Sequence, residues 1–309
     1  MVKISVIGAG MVGATAVQRL AEFELGDIAM IDVVEGLPQG KALDMLESAS
    51  LCDFDVDVLG SNDYSDIEGS DVVVVTAGVA RKPDMTREDL IGINSNIVKD
   101  VCSHVALHAS GAVVLVVTNP LDIMTYAALK YTGFEHQRVF GMSGVLDSAR
   151  FSYFVAAELN CSVRDVYAMV LGGHGDTMVP LPEYTTVSGI PITQLLSKDA
   201  VERLVSRTIN GGVEIVNLLK TGSAFYAPAA SIVRMVESIV RDTRRILPAC
   251  AYLSGEYGQK DVYLGVPVKL GRRGVLEVIE LELRDETKAA LAQSADSVRD
   301  GVKKLNLCL

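Results

Sequence analysis

The sequence has no tryptophan, few histidines and cysteines, and no long hydrophobic run. Its 309 residues include four histidines and five cysteines, and no two cysteines form a CxxC pair. Scattered cysteines in odd number exclude a disulfide framework and a cysteine-based zinc site, and they fit a reducing compartment. The most apolar runs, 72–75 and 112–117, are far shorter than the roughly 20 residues of a transmembrane helix. We therefore expect a soluble globular protein.

Lysine and arginine are also fewer than the acidic residues. The chain carries 28 lysines and arginines against 39 aspartates and glutamates, which gives a formal net charge of −11. This balance excludes nucleic acid and anionic membranes as main partners, because both bind basic surfaces. The N-terminus opens directly on a predicted strand, without an apolar stretch of signal-peptide length, so we expect a cytoplasmic protein.

The first half of the chain alternates short apolar runs with helical patterns. This β-α-β alternation predicts an α/β fold with a doubly wound, parallel Rossmann sheet. The predicted strands of this half are 2–7, 28–31, 55–59, 72–76 and 112–117, and the predicted helices are 11–24, 39–50 and 88–109.

The pattern changes after residue 144, where helices become more frequent and a hairpin is predicted. We expect two domains: an NAD-binding Rossmann domain at residues 1–144, and a C-terminal α+β catalytic domain at residues 145–309. A cleft should lie between them. The predicted helices of the second half are 147–160, 200–220, 228–241 and 285–305, and the predicted strands are 166–171, 246–253, 261–270 and 275–279.

A glycine motif follows the first strand and opens the first helix. Such a turn lets backbone amides and the positive end of the helix approach a pyrophosphate. Asp32 ends the second strand, where its carboxylate can bind ribose hydroxyls and repel a 2′-phosphate. No lysine or arginine lies in 33–36, so we predict NAD rather than NADP as cofactor, the alternative being a glycine turn without a ligand. The residues of the motif are Gly8, Ala9, Gly10, Met11, Val12 and Gly13.

Two further strand ends carry candidate substrate-binding residues. Arg81 and Arg87 lie in a proline-containing loop after strand 72–76, and they suit a lid that closes over an anion; a solvated basic loop is the alternative. Asn119 follows strand 112–117 and can hydrogen-bond a substrate oxygen, or shape the turn before Pro120. Ligands of doubly wound folds bind beyond the carboxyl ends of the strands, which is where both groups lie.

Asp147 and Arg150 lie three residues apart in a helix-like segment, so both face the same side. His174 follows twenty-seven residues after Asp147, among three glycines that leave room for a ligand. A carboxylate for the imidazole and a guanidinium for an anionic substrate can thus be presented together. The alternative is a glycine-rich turn beside a surface ion pair.

Two further histidines raise the question of a metal site. His104 and His108 lie four residues apart in a predicted helix, a spacing that can bind a metal ion. No acidic residue lies between them and no third ligand is evident, in contrast to an HExxH motif. We therefore predict no metal site.

The order of these motifs resembles that of the lactate/malate dehydrogenase family, and within it the malate-specific branch of the lactate-dehydrogenase-like type. In contrast to typical animal lactate dehydrogenases, the chain has no N-terminal arm before the first strand. The matching segments span nearly the whole chain: 8–13, Asp32, 81–87, 117–120, 144–150 and 172–176.

The resemblance implies a role for each candidate residue. His174 would be the acid/base and Asp147 its partner, which orients the imidazole and raises its pKa. Arg150 would bind the C1 carboxylate in a two-pronged contact, and Arg87 would polarise the carbonyl group. The residues Asn94, Val117, Thr118 and Asn119 are expected to contact the cofactor, Asn119 also the substrate.

Arg81 is expected to decide the substrate. In the family, arginine at this position pairs with the second carboxylate of oxaloacetate, whereas glutamine accompanies pyruvate. The expected activity is NAD-dependent malate dehydrogenase, the reversible oxidation of (S)-malate to oxaloacetate in the citric acid cycle. The alternatives are a lactate or other 2-hydroxy-acid dehydrogenase and, in another class, a non-catalytic dinucleotide sensor. The family also implies a homo-oligomer, with a tetramer favoured over a dimer.

Overall fold

The computed structural model describes residues 2–80 and 85–305, with Arg87 described only in its backbone. In this part of the chain, the first half forms alternating strands and helices. The strands are β1 (Lys3–Ile7), β2 (Asp27–Ile31), β3 (Val58–Ser61), β4 (Val72–Val75), β5 (Val113–Val116) and β6 (Val139–Gly141). The helices are α1 (Met11–Glu22), α2 (Leu37–Glu47), α3 (Ala49–Cys52), α4 (Arg87–His108) and α5 (Leu121–Thr132).

The second half is richer in short strands and in long helices. Its helices are α6 (Gly144–Leu159), α7 (Ile192–Leu195), α8 (Lys198–Leu219), α9 (Tyr226–Val240) and α10 (Asp285–Val302). Its strands are β7 (Val166–Tyr167), β8 (Val170–Gly172), β9 (Met178–Pro180), β10 (Thr186–Val187), β11 (Ile190–Pro191), β12 (Arg245–Ser254), β13 (Lys260–Gly271) and β14 (Gly274–Val278).

The first six strands form a parallel sheet in the order β3-β2-β1-β4-β5-β6. Its central strands β4 and β5 consist of apolar residues that are buried along their whole length. Helices cover both faces of such a sheet, and its strands are therefore apolar on both sides. The α/β doubly wound fold that the alternation predicts is confirmed.

The sheet continues from the first half of the chain into the second. β12 lies antiparallel beside β6 and pairs with it through Cys250 and Gly141. The order then runs β12-β13-β8-β9, with β14 on β13, and β11-β10-β7 form a separate small sheet. The connection between the two halves is thus a shared sheet as well as packed helices.

Several predicted elements differ from the observed ones in their bounds. The predicted strand 166–171 is two strands in different sheets, β7 and β8, because the chain passes from one sheet to the other at Ala168 and Met169. β3 begins at Val58, after a segment rich in aspartate. α2 begins two residues earlier than predicted, since Gly36 turns the chain in the left-handed region with a φ of 76° and Pro38 fits the first turn.

The topology brings several chain segments to the same edge of the sheet. The carboxyl ends of β1, β4 and β5 meet there, as parallel neighbours do. In the described part of the chain, no helix combines the length and the apolar character that crossing a membrane requires.

Candidate active site

The glycine motif forms a tight connection between β1 and α1. Gly8 has a φ of 108°, and a Cβ atom there would lie 2.7 Å from the Ala77 backbone nitrogen. A Cβ atom on Gly13 would lie 1.9 Å from the Gly8 carbonyl oxygen, so both positions require glycine. At Gly10 an added Cβ meets no atom within 4 Å. The loop therefore leaves open space at Gly10, as the close approach of a dinucleotide pyrophosphate requires.

Asp32 lies at the carboxyl end of β2 and binds the glycine loop. Its Oδ2 accepts a hydrogen bond of 2.7 Å from the Ala9 N–H, and its Oδ1 accepts one of 2.9 Å from the Val34 N–H. Lys41 of α2 approaches the same loop and donates to the Ala9 carbonyl over 2.6 Å. Lys41 was not expected from the sequence, because it lies 32 residues from Ala9 and no local pattern connects the two.

The residues near β5 that are expected to contact the cofactor lie in a network of hydrogen bonds. Asn94 is fully buried, accepts from the Val79 N–H over 2.8 Å and donates to the Asn119 carbonyl over 2.6 Å. Thr118 is also buried and donates to the Ala77 carbonyl over 2.7 Å, and Val117 is 9% exposed. Asn94 thus ties the loop after β4 to the loop after β5. The contacts of these residues with a cofactor stay a prediction.

The lid expected at 78–87 is described only in part. Arg81 lies outside the described residues, and α4 begins at Arg87. The start of α4 is stabilised by a capping box, in which the Thr86 hydroxyl accepts from the Asp89 N–H over 3.1 Å and the Asp89 carboxylate accepts from the Thr86 N–H over 3.0 Å. Arg87 is therefore the first residue of a helix whose N-terminus is held by these two hydrogen bonds.

Asp147 links the candidate acid/base to the candidate anion-binding residue. It lies in the first turn of α6 and its side chain is 2% exposed. Its Oδ2 is 2.8 Å from Nδ1 of His174, and its Oδ1 accepts from Nη1 of Arg150 over 3.2 Å. The structure thus brings together three side chains that the sequence separates by up to twenty-seven residues.

The environment of His174 favours the protonated imidazole. Burial lowers its pKa, but attraction to the Asp147 carboxylate, the hydrogen bond to it and attraction to Asp122 raise the pKa more, and the net direction is upward. With Nδ1 bound to Asp147, Nε2 is the nitrogen left to face a substrate.

Arg150 is 13% exposed, and part of its donor capacity is unused among the described residues. Burial lowers the pKa of its guanidinium, and Asp147 opposes that shift. Its Nε is buried without a hydrogen-bond partner among residues 2–80 and 85–305. A planar group with spare donors matches the geometry of a carboxylate ligand.

The loop that carries His174 is fixed through its backbone by two distant helices. The Gly173 N–H donates to the Ser294 hydroxyl of α10 over 2.8 Å, and the His174 N–H donates to Oδ2 of Asp122 in α5 over 2.9 Å. Neither contact was expected from the sequence, because the partners lie 121 and 52 residues apart and no local pattern connects them.

The His104–His108 pair contacts other residues than those of this group. The ring of His104 stacks on Tyr64 with 4.1 Å between centroids, and that of His108 is 6.1 Å from the His104 ring. Among the residues that the structure describes, no cluster of three histidine, cysteine, aspartate or glutamate side chains could hold a metal ion.

Two protein-family models match this chain. The model for the lactate/malate dehydrogenase NAD-binding domain matches residues 2–141, and the model for the α/β C-terminal domain of the same enzymes matches residues 144–306. The chain is 60% identical over 307 residues to a malate dehydrogenase of Methanosarcina mazei, an alignment that covers 99% of this chain and 100% of that one.

Solved structures of both kinds of enzyme are similar to this chain. The malate dehydrogenase of Cryptosporidium parvum has a TM-score of 0.96 at 42% identity, with 98% of each chain covered. A lactate dehydrogenase of Cryptosporidium parvum, complexed with lactic acid and nicotinamide adenine dinucleotide, also has a TM-score of 0.96, at 37% identity, covering 100% of this chain and 99% of that chain. The backbone is thus shared by enzymes of two different substrates.

Proposed function

The chain belongs to the lactate/malate dehydrogenase family, and we propose that its site oxidises (S)-malate to oxaloacetate, reversibly and with NAD. The expected family, the NAD cofactor and the assignment to the NAD-dependent oxidoreductases are confirmed by the two family models. The expected malate dehydrogenase activity agrees with relatives of that name at 58–60% identity over 307 residues.

One observation supports this function most strongly. A single buried carboxylate, that of Asp147, binds the imidazole of His174 with one oxygen and the guanidinium of Arg150 with the other. An acid/base group and an anion-binding group are therefore held in a fixed relation. Oxidation of a 2-hydroxy acid needs both, one to take the hydroxyl proton and one to hold the adjacent carboxylate.

The residues present fit a dinucleotide cofactor. The glycine loop leaves space at Gly10, and Asp32 lies beside the loop with a carboxylate suited to ribose hydroxyls. When bound, NAD supplies the acceptor for the hydride that leaves C2 of malate.

The proton is handled by the chain itself. Neutral His174 accepts the hydroxyl proton at Nε2, while Asp147 fixes the ring orientation and stabilises the imidazolium that forms. In the reverse direction protonated His174 returns this proton to the carbonyl oxygen. Arg150 holds the C1 carboxylate throughout, so that the C2 oxygen stays directed at the imidazole.

The roles that we propose for the two lid arginines follow from the sequence and its resemblance to the family. Arg87 polarises the C2 carbonyl, and Arg81 pairs with the second carboxylate of oxaloacetate. Closure of the lid over the substrate excludes water from the reacting groups. The family contains both malate and lactate enzymes, so the choice of substrate depends on Arg81 rather than on the backbone.

A direct assay tests the function. NADH consumption is followed with oxaloacetate and, separately, with pyruvate. We expect a kcat/KM for oxaloacetate at least about 100-fold above that for pyruvate, because pyruvate leaves the lid guanidinium unpaired. A preference for pyruvate supports the lactate dehydrogenase alternative, and no turnover with either substrate supports the sensor alternative.

Asp32 is expected to determine the choice between NAD and NADP. Asp32→Asn keeps the size of the side chain but removes the charge that repels a 2′-phosphate. Discrimination against NADP, measured as the ratio of the two kcat/KM values, should fall by about 10- to 100-fold, since a hydrogen bond to a charged group contributes about 1.5–3 kcal/mol. The exposed Asp44→Asn serves as the control and should keep the wild-type ratio. An unchanged ratio in Asp32→Asn would refute this role.

We propose a homo-oligomer, with a tetramer of two dimers favoured over a dimer. Apolar side chains on α2 and α8 support it: Leu43 is 59% exposed and Val213 59% exposed. Exposed apolar side chains of this size commonly pack at subunit interfaces. Sedimentation velocity distinguishes the two assemblies. The cytoplasmic location expected from the sequence stays a prediction.

A further inference from the structure

Asp122 carries a buried carboxyl group that contacts the backbone of the candidate acid/base. It lies in the first turn of α5, three residues after Asn119, and is 4% exposed. Its Oδ2 accepts from the His174 backbone N–H over 2.9 Å, and its Oδ1 accepts from the Cys250 thiol of β12 over 3.2 Å. The carboxyl group thus joins the loop of His174 to α5 and to β12.

Two hydrogen-bond donors and a helix N-terminus favour the ionised form of Asp122, against the effect of burial. Both partners donate hydrogen bonds to it, and the first turn of a helix adds positive potential. Burial raises the pKa of this carboxyl group above its ordinary value, and the hydrogen bonds from His174 and Cys250 and the attraction to His174 oppose this shift. Among the described residues, no lysine or arginine forms an ion pair with it. The cation that can compensate its charge is therefore protonated His174.

Four of the described elements carry groups on or near His174 that bear on its titration. α6 supplies Asp147 and Arg150, α5 supplies Asp122, and β12 supplies Cys250, whose thiol has a pKa raised well above its ordinary value by burial. α10 supplies the Ser294 hydroxyl, which does not titrate in this range. Among the described residues, two carboxylates and one guanidinium thus act on the pKa of the imidazole.

We propose that Asp122 is a positioning residue for His174, which fixes the backbone of the acid/base and whose negative charge favours the protonated imidazole. The proposal rests on the proposed function in one respect, namely that His174 is the acid/base of the reaction. Asp147 orients the imidazole ring of His174 through Nδ1, and Asp122 holds the same residue through its backbone N–H. The two carboxylates therefore have separate roles on one residue.

The sign of the effect on pH dependence follows directly. Reduction of oxaloacetate needs protonated His174, so its rate falls as pH rises through the pKa of the imidazole. Oxidation of malate needs neutral His174, so its rate falls as pH drops through the same pKa. Removal of the Asp122 charge lowers this pKa. Both profiles should then move to lower pH.

Asp122→Asn tests the proposal, because asparagine keeps the shape and an acceptor for the His174 N–H. In kcat/KM profiles of both directions we expect a shift of about 1 pH unit downward. Well above the pKa, reduction then falls by up to about 10-fold, and well below it, oxidation rises by a similar factor. Asp285→Asn, on the exposed start of α10, is the matched control and should leave both profiles in place.

A second readout needs no turnover. The chain has four histidines, so ¹³C-labelled histidine gives few NMR signals, and His174→Asn identifies the relevant one. Its titration midpoint should move down in Asp122→Asn to the same extent as the kinetic profiles. If the wild-type enzyme does not turn over malate, the proposed function fails, while this titration still tests the coupling between Asp122 and His174.

The outcomes are distinct. Profiles and a midpoint identical to wild type in a folded Asp122→Asn protein, even with a lower kcat, would reduce Asp122 to a structural residue and overturn the proposal. If Asp122→Asn does not fold, Cys250→Ala removes one donor from the carboxylate and should shift the His174 midpoint in the same direction by a smaller amount. An unchanged midpoint in Cys250→Ala would then overturn it.

Discussion

Replacing His174 by asparagine is expected to lower kcat for malate oxidation by about 10²- to 10⁴-fold, the range that a positioned acid/base group contributes. Asparagine can still donate to Asp147, so the buried carboxylate keeps a partner and the fold should be retained. It cannot take up the hydroxyl proton. The measurement is kcat at saturating malate and NAD, together with the affinity for NADH by fluorescence titration.

Two comparisons separate loss of chemistry from loss of structure. His136→Asn changes a histidine that contacts Tyr252 outside the site, with 5.1 Å between ring centroids, and should keep wild-type kcat. NADH affinity should be unchanged in His174→Asn, because no cofactor role is assigned to the imidazole. A kcat within a few-fold of wild type in His174→Asn would show that another group performs the proton transfer.

The second large effect concerns substrate choice. Arg81→Gln is expected to shift the ratio of kcat/KM for oxaloacetate over pyruvate by about two to four decades toward pyruvate. Losing the partner of a buried charge typically costs about 3–5 kcal/mol, and glutamine leaves no unpaired guanidinium when pyruvate binds. Both kcat/KM values are measured by NADH consumption in the same preparation.

The neighbouring Lys82→Gln provides the matched control for this change. It removes one positive charge from the same loop but leaves Arg81 in place, and should leave the substrate ratio near that of wild type. Unchanged oxaloacetate selectivity in Arg81→Gln would refute the assignment. A similar shift in both variants would show that loop charge as a whole, rather than Arg81, selects the substrate.

The fold was accessible from the sequence because buried parallel strands leave a strong signal. The valines of β4 and the apolar run of β5 are fully buried, and glycines appear where the loop after β1 has no room for a side chain. Length and apolar content alone could not separate β7 from β8, since two short strands in different sheets give the same run of letters as one strand.

The site was predictable where its residues lie in short motifs. Asp147 and Arg150 share a helix turn, and His174 lies in a glycine-rich loop, so their meeting could be expected. The contacts of Asp122 and Ser294 with that loop depend on how α5 and α10 pack. Such contacts are fixed by tertiary structure and leave no local pattern. The catalytic roles themselves remain proposals.

The most direct test of the account is a crystal structure of the enzyme with NADH and tartronate, a dicarboxylate that carries a C2 hydroxyl group. We predict the C2 oxygen at about 2.6–3.2 Å from Nε2 of His174, the distance of a proton-transferring hydrogen bond. One carboxylate should bind Arg150 and the other Arg81, with the nicotinamide ring against C2. A ligand bound with its C2 oxygen far from the imidazole, or with the nicotinamide outside this pocket, would contradict the account.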